Sequence, residues 1–217
     1  MPILPNNKLT AEKRLSSLKL RLSRDAELRE KYAEEMHKLT DEGFAEKVPD
    51  NEMMRQDGKV YYLPHFGVWT DKKPDKLRVV FDCACKHDGK SLNDYVLQGP
   101  DLTNSLVGVL LRLRMDPIVI ISDIQAMFNQ CKVAADDRDT LRYLWWPNGD
   151  LSQPPETHRM TTHLFGGVWS PAAANYILQH VAKDEGHNYS SDVTDSVRRS
   201  EERRVGKECR SRWSPYH

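Results

Sequence analysis

The sequence predicts an α+β fold in which a helical N-terminal segment precedes a region of mixed strands and helices. Three observations lead there. The first fifty residues are charge-rich, with apolar residues at helical spacing. From Asp57 onward, aromatic and β-branched runs alternate with turn signals. Finally, Ile118 to Ile121 form a short wholly apolar run of the kind buried on both faces of a sheet. A chain of 217 residues with 39% hydrophobic content can bury one sizeable core or two small ones.

In chain order, Thr10 is placed to cap a helix carrying Leu15, Leu18 and Leu22. Ser23 or Asp25 caps a second with Leu28, Tyr32, Met36 and Leu39, which Gly43 ends. Both stripes read as faces packed on a neighbour, with the charged remainder solvated. Asp57-Gly58 is a turn signal, and strands are expected in KVYYLPHFGVW and in Leu77 to Asp82. KHDGKSLND follows as a turn-rich stretch, and Leu102, Leu106, Val109, Leu110 and Leu113 predict a helix over Asp101 to Arg114, broken by Asp116-Pro117. The Ile118–Ile121 strand ends in Ser122-Asp123. LRYLWW and HRMTTHLF flank the turn cluster Pro147-Asn148-Gly149-Asp150 and predict a hairpin. Ser170-Pro171 opens a last helix that stops at Gly186.

Charge is balanced overall at 32 basic and 32 acidic residues. Arg199 to His217 hold six Lys or Arg against three Glu, which leaves 26 basic and 29 acidic residues in the body. Any nucleic-acid contact in the body must therefore come from local patches. No apolar run is long enough to span a membrane and the N-terminus lacks a signal-peptide stretch, so an intracellular, soluble chain is expected. Cys83, Cys85, Cys131 and Cys209 have no framework spacing, which fits reduced thiols.

Asp123, at the end of a buried strand, has two readings: a cap on the following turn, or one ligand of a divalent cation. Phe128 is either a core aromatic or part of a site. Cys83, Cys85 and His87 resemble a metal half-site, but no fourth ligand with zinc-like spacing follows, and small buried cysteines account for them better.

Seven blocks occur in order: YYLPH (Tyr61–His65), KLRVVFD (Lys76–Asp82), SLND (Ser91–Asp94), DIQAMF (Asp123–Phe128), DRDTLRYLWW (Asp137–Trp146), RMTTHLFG (Arg159–Gly166) and Ser170-Pro171. Together they resemble the reverse transcriptase region of Pao/BEL-type LTR retrotransposon polyproteins, over about residues 8 to 198. The resemblance implies a helical leader over 1–50, then reverse-transcriptase-like fingers and the first part of a palm over 51–198. It implies RNA-directed DNA polymerisation from dNTPs on an RNA or DNA template with primer, using two Mg²⁺ ions, in a cytoplasmic retroelement particle. The remainder of the polyprotein would be a partner and a membrane would not.

By the same resemblance, Asp123 is the first catalytic carboxylate and a ligand of both ions, with the Ile124 carbonyl beside it. Phe128 lies under the incoming sugar and rejects a 2′-hydroxyl. Arg78 grips the triphosphate, a task that suits a guanidinium fork. Lys72, Lys73 and Lys76 are supporting candidates. Phe165-Gly166 lie against the nascent base pair, and Ser170 and Pro171 against the template and primer.

Two departures stand out. Cysteines follow Asp82 where the family carries small residues, and the Tyr-x-Asp-Asp motif that supplies the other two carboxylates is absent. The expectation is a polymerase fragment that is inactive alone. The alternative is a non-catalytic nucleic-acid-binding or interaction module derived from a retroelement. An aspartic protease is disfavoured, because the chain has no Asp-Thr-Gly or Asp-Ser-Gly. Residues 199–217 look like a basic arm, yet they resemble the translation of a DNA-sequencing library adapter. Their charge is therefore expected to be an accident of codons, and the segment disordered or loosely attached.

Overall fold

A computed structural model describes residues 2–70, 73–115, 117 and 123–199. The expected strand Ile118–Ile121 with Ser122, the Asp116 breaker, Lys72 and the tail from residue 200 lie outside the described residues. The architecture is mixed helix and strand, as an α+β chain requires. Two compact units divide it, residues 1–99 with 126–171 and residues 100–125 with 172–217.

In the first unit, α1 (Lys8–Arg24) and α2 (Ala26–Asp41) bury the predicted stripes, with Ala11, Leu15, Leu18 and Leu22 on one and Leu28, Tyr32 and Met36 on the other. Asp25 rather than Ser23 caps α2, accepting from the Leu28 N–H at 2.9 Å, while the Ser23 hydroxyl turns back to the Lys19 carbonyl. Thr10 does not cap α1, which begins two residues earlier; its hydroxyl meets His87 Nδ1 at 2.8 Å instead. Asn7, just before α1, spends its side chain on the far segment: Nδ2 donates to the Tyr62 carbonyl and Oδ1 accepts from the Tyr62 N–H, both at 2.7 Å and both buried.

After Gly43, β1 (Ala45–Lys47) pairs antiparallel with β5. The sequence carries no strand signal there; the pairing is tertiary. KVYYLPHFGVW splits at its proline. Tyr61 to Leu63 are extended and exchange backbone hydrogen bonds with Asp139 and Arg142, and regular strand starts only at β2 (His65–Thr70). Pro64 has no N–H to continue a ladder. An antiparallel pair then forms between β2 and β3 (Lys73–Phe81), with His65 opposite Phe81 and Val68 opposite Arg78. The one-turn α3 (Leu92–Tyr95) follows, closed by a capping box between Ser91 and Asp94.

The expected hairpin is present: β4 (Arg142–Trp145) pairs antiparallel with β5 (Glu156–Met160), giving a three-stranded sheet of order β1-β5-β4. One hydrophobic cluster joins the leader helices to both sheets, with Tyr32 stacked on Trp145 at 5.2 Å. His65 is fixed at its centre. Its Nε2 lies 2.9 Å from the Leu144 carbonyl and so carries the proton, which leaves Nδ1 to accept from the Tyr32 hydroxyl at 2.6 Å. Burial holds the imidazole neutral and lowers its pKa to about 4.

The second unit is helical among the described residues. The helix expected over Asp101–Arg114 is shorter, α4 (Leu106–Arg112). Asp101 Oδ1 accepts from the Thr103 N–H, an Asx turn that competes with helix at its start. The Ser170-Pro171 helix is α5 (Ser170–Asp184), and α6 (Ser191–Arg199) follows a short turn. No helix among the described residues is long and apolar enough to cross a membrane.

Candidate functional site

Local pairing builds the aromatic part of the site. Val133 N–H donates to the Thr161 carbonyl, His163 N–H donates to the Cys131 carbonyl, and Lys132 bridges Thr162 antiparallel. That register carries the residues just before Cys131 back over those just after His163. Phe128, on the turn Met127–Gln130, consequently meets Phe165 edge-on, with ring centroids 4.6 Å apart. Ala126 enters that turn in the left-handed region, at φ 49°. Phe165 is 57% exposed, so this pair is an open aromatic surface rather than core.

Gly166 is the pivot beside it. Its φ is +103°, and a Cβ there would lie 2.8 Å from the Phe81 carbonyl, so only glycine fits without movement. Asn93 Nδ2 donates to the Gly166 carbonyl at 3.0 Å, and Asn93 Oδ1 accepts from the Val168 N–H at 3.1 Å. The Ser170 side chain is fully buried and its hydroxyl donates to the Leu164 carbonyl at 2.8 Å. Its contribution is to hold the 164–170 loop, and Pro171 follows it into α5. Trp169 Nε1 donates to His163 Nδ1 at 3.0 Å and braces the same loop.

Arg78 stands on β3, exposed, and among the described residues no hydrogen bond or ion pair occupies its guanidinium. Lys76 is exposed two residues before it on the same strand. Asp123 and Ile124 are exposed and belong to the second unit. The structure thus gathers Phe128, Phe165, Gly166 and Ser170, and leaves Arg78 and the Asp123-Ile124 pair on other elements. Cys83, Cys85 and His87 stay apart in role. Cys83 is buried, with its thiol pKa pushed up by burial, while His87 is taken by Thr10 and Asp88.

A buried charged cluster that no sequence expectation included joins β4 and β5 to the segments around Arg55 and Asp139. Asp139, fully buried, accepts from Arg142 Nε at 2.8 Å and Arg159 at 3.1 Å on one oxygen and from Arg55 at 3.0 Å on the other. Arg142, also fully buried, donates further to the Met53 and Glu52 carbonyls, and Arg159 reaches the Glu46 and Glu52 carboxylates. Burial by itself would raise the Asp139 carboxyl, but the three guanidinium hydrogen bonds outweigh it and leave the pKa below the ordinary range. The Asp139/Arg142 spacing of three was the available signal.

No protein-family model and no curated protein matches the chain.

The pair of Mg²⁺ ions that the resemblance implies needs several oxygen ligands around two centres. Asp123 offers one carboxylate and Ile124 one carbonyl, and among the described residues no cluster of three His, Cys, Asp or Glu forms. This donor set does not fit a two-ion site.

Proposed function

We propose that the chain is the fingers and first palm portion of a reverse transcriptase of the Pao/BEL retrotransposon type, an RNA-directed DNA polymerase family. It engages a primer on an RNA or DNA template together with dNTP. One observation carries the reading: four of the ordered sequence blocks meet around Gly166. KLRVVFD supplies the Phe81 carbonyl, SLND supplies Asn93, DIQAMF supplies Phe128, and RMTTHLFG supplies Phe165 and Gly166 itself. Separations of 37 and 73 residues close on one exposed aromatic patch. A π surface beside close backbone suits a base pair and its sugar. Arg78 suits the phosphates, being exposed and uncommitted among the described residues. By family, the setting is a cytoplasmic retroelement particle and the other partner is the rest of the polyprotein.

In this reading the chain does not extend primers by itself, since it carries one of the three carboxylates that two-metal transfer requires. Primer extension with Mg²⁺ or Mn²⁺ tests that: template-dependent incorporation lost in Asp123→Asn would overturn it. Binding tests the rest. Primer–template affinity should fall as salt rises, and Arg78→Ala should weaken it. Salt-independent binding, or none, would count against the reading. The lone carboxylate also favours a second reading, a retroelement-derived module that binds nucleic acid without chemistry. The second reading expects no incorporation even when a palm segment carrying the Tyr-x-Asp-Asp motif is supplied in trans, whereas the first expects incorporation there that Asp123→Asn abolishes.

A further inference from the structure

We infer that Asn93 is the positioning residue of the aromatic patch, holding the Phe165–Val168 turn so that Phe165 forms a wall for the first unpaired template base. The inference rests on the primer–template reading above and deepens it. Asn93 is itself rigidly held. Its neighbour Leu92 is fully buried, the capping box of Ser91 and Asp94 closes α3 around the pair, and the Asn93 N–H donates to the Cys83 carbonyl at 3.1 Å. Its amide meets the turn on both sides, donating to the Gly166 carbonyl and accepting from the Val168 N–H. The partners fix the amide's orientation, because a carbonyl only accepts and an N–H only donates. No smaller side chain makes both bonds. The turn it grips starts at Phe165, whose ring is exposed yet set edge-on against Phe128. Without the clamp the turn loses two fixed points on Gly166 and Val168, and the left-handed Gly166 is free to relax away from the Phe81 carbonyl. Asn93 touches no substrate in this arrangement; it acts through Phe165.

Base–aromatic stacking raises affinity several-fold or more per base. The full chain should therefore bind a primer–template with a single-stranded 5′ template overhang at least fivefold tighter than the blunt duplex of the same length. Asn93→Ala and Asn93→Asp should bring that ratio to within about twofold of unity, with blunt-duplex affinity little changed. The aspartate keeps the acceptor for Val168 and loses the donor for Gly166. A variant that merely lowered the folded fraction would weaken both duplexes alike and leave the ratio intact. As a second readout, the nuclear Overhauser contact between the Phe128 and Phe165 rings should vanish in both variants while the Tyr32–Trp145 contact persists. Wild-type protein that binds neither duplex would sink the primer–template reading and this inference with it. Wild-type protein that shows the preference, beside variants that keep both the preference and the ring contact, would sink the inference alone. So would unfolding of both variants, which would make Asn93 a residue of the core.

Discussion

Replacing Asp139 by alanine should be among the most damaging single changes in the chain. The substitution removes the carboxylate shared by Arg142, Arg159 and Arg55 while leaving their guanidinium groups where they are. Arg142 suffers most, because it is fully buried and its remaining hydrogen-bond partners, the Met53 and Glu52 carbonyls and the Tyr62 hydroxyl, carry no charge. Arg159 keeps two carboxylates and Arg55 keeps Asp57, so their share of the loss is small. Removing one member of a buried ion pair costs about 3–5 kcal/mol, against a total stability of about 5–15 kcal/mol for a domain. Asp139→Ala should thus lose about 4 kcal/mol in urea unfolding. Asp139→Asn keeps an oxygen for Arg142 but not the charge, and should fall between it and the parent. Pairing Asp139→Ala with Arg142→Met should recover part of the loss, since the stranded cation is gone. A loss under about 1 kcal/mol for Asp139→Ala, or no recovery in the double variant, would refute the claim that this cluster is held by its buried charge.

Three further expectations follow from the same contacts. His65 has its folded pKa at about 4, below the ordinary 6.5, so its neutral form stabilises the fold above pH 6.5 and that contribution is lost as pH falls towards 4. The difference is roughly 3 kcal/mol, and the unfolding midpoint of His65→Gln should vary less between pH 7 and pH 4 than that of the parent; parallel profiles would contradict the assignment. Asn7→Ala strands the Tyr62 N–H and carbonyl in a buried place and should cost roughly 2–4 kcal/mol by thermal melting, with no loss expected only if water reaches both groups. Gly166→Ala forces a Cβ against the Phe81 carbonyl at a left-handed φ and should cost roughly 1–3 kcal/mol, with the Phe128–Phe165 ring contact displaced; an unchanged contact would mean the turn has another conformation to offer.

What the sequence made legible was whatever rests on local periodicity. The leader stripes, the β4–β5 hairpin around Pro147–Gly149 and the start of α5 at Ser170-Pro171 all arise from spacing or turn chemistry within a few residues, and they are present. What failed to show was set from far away. β1 exists because Ala45 to Lys47 find β5 across more than a hundred residues, and Asn7, at the N-cap of α1, gives its side chain to Tyr62 rather than to the helix. Within the candidate site, Phe128 and Phe165 could be named from motif position, but that they touch depends on the 131–133 and 161–163 pairing. Asn93 lies within the SLND block, and its role is invisible there because its two bonds reach the turn at Gly166 and Val168 more than seventy residues away.

The charged residues of the motif blocks divide by burial, and that division carries consequences for which of them can meet a ligand. In DRDTLRYLWW and RMTTHLFG, the charged Asp139, Arg142 and Arg159 are all buried and committed to one another. The Arg142 guanidinium, fully buried and bound to a carboxylate at 2.8 Å and two backbone carbonyls, is out of reach of a phosphate in solvent. Arg78 stands the other way: it is exposed, it faces Val68 across the hairpin, and among the described residues it has no acid to neutralise it. Substituting Arg78 should therefore change ligand affinity and its salt slope while leaving the unfolding midpoint within about 0.5 kcal/mol of the parent. Substituting Arg142 should do the reverse, with a lower midpoint and an unchanged salt slope for the protein that remains folded. Finding both effects in either variant would break the separation between the arginines that hold this fold and the arginine that is open to a polyanion.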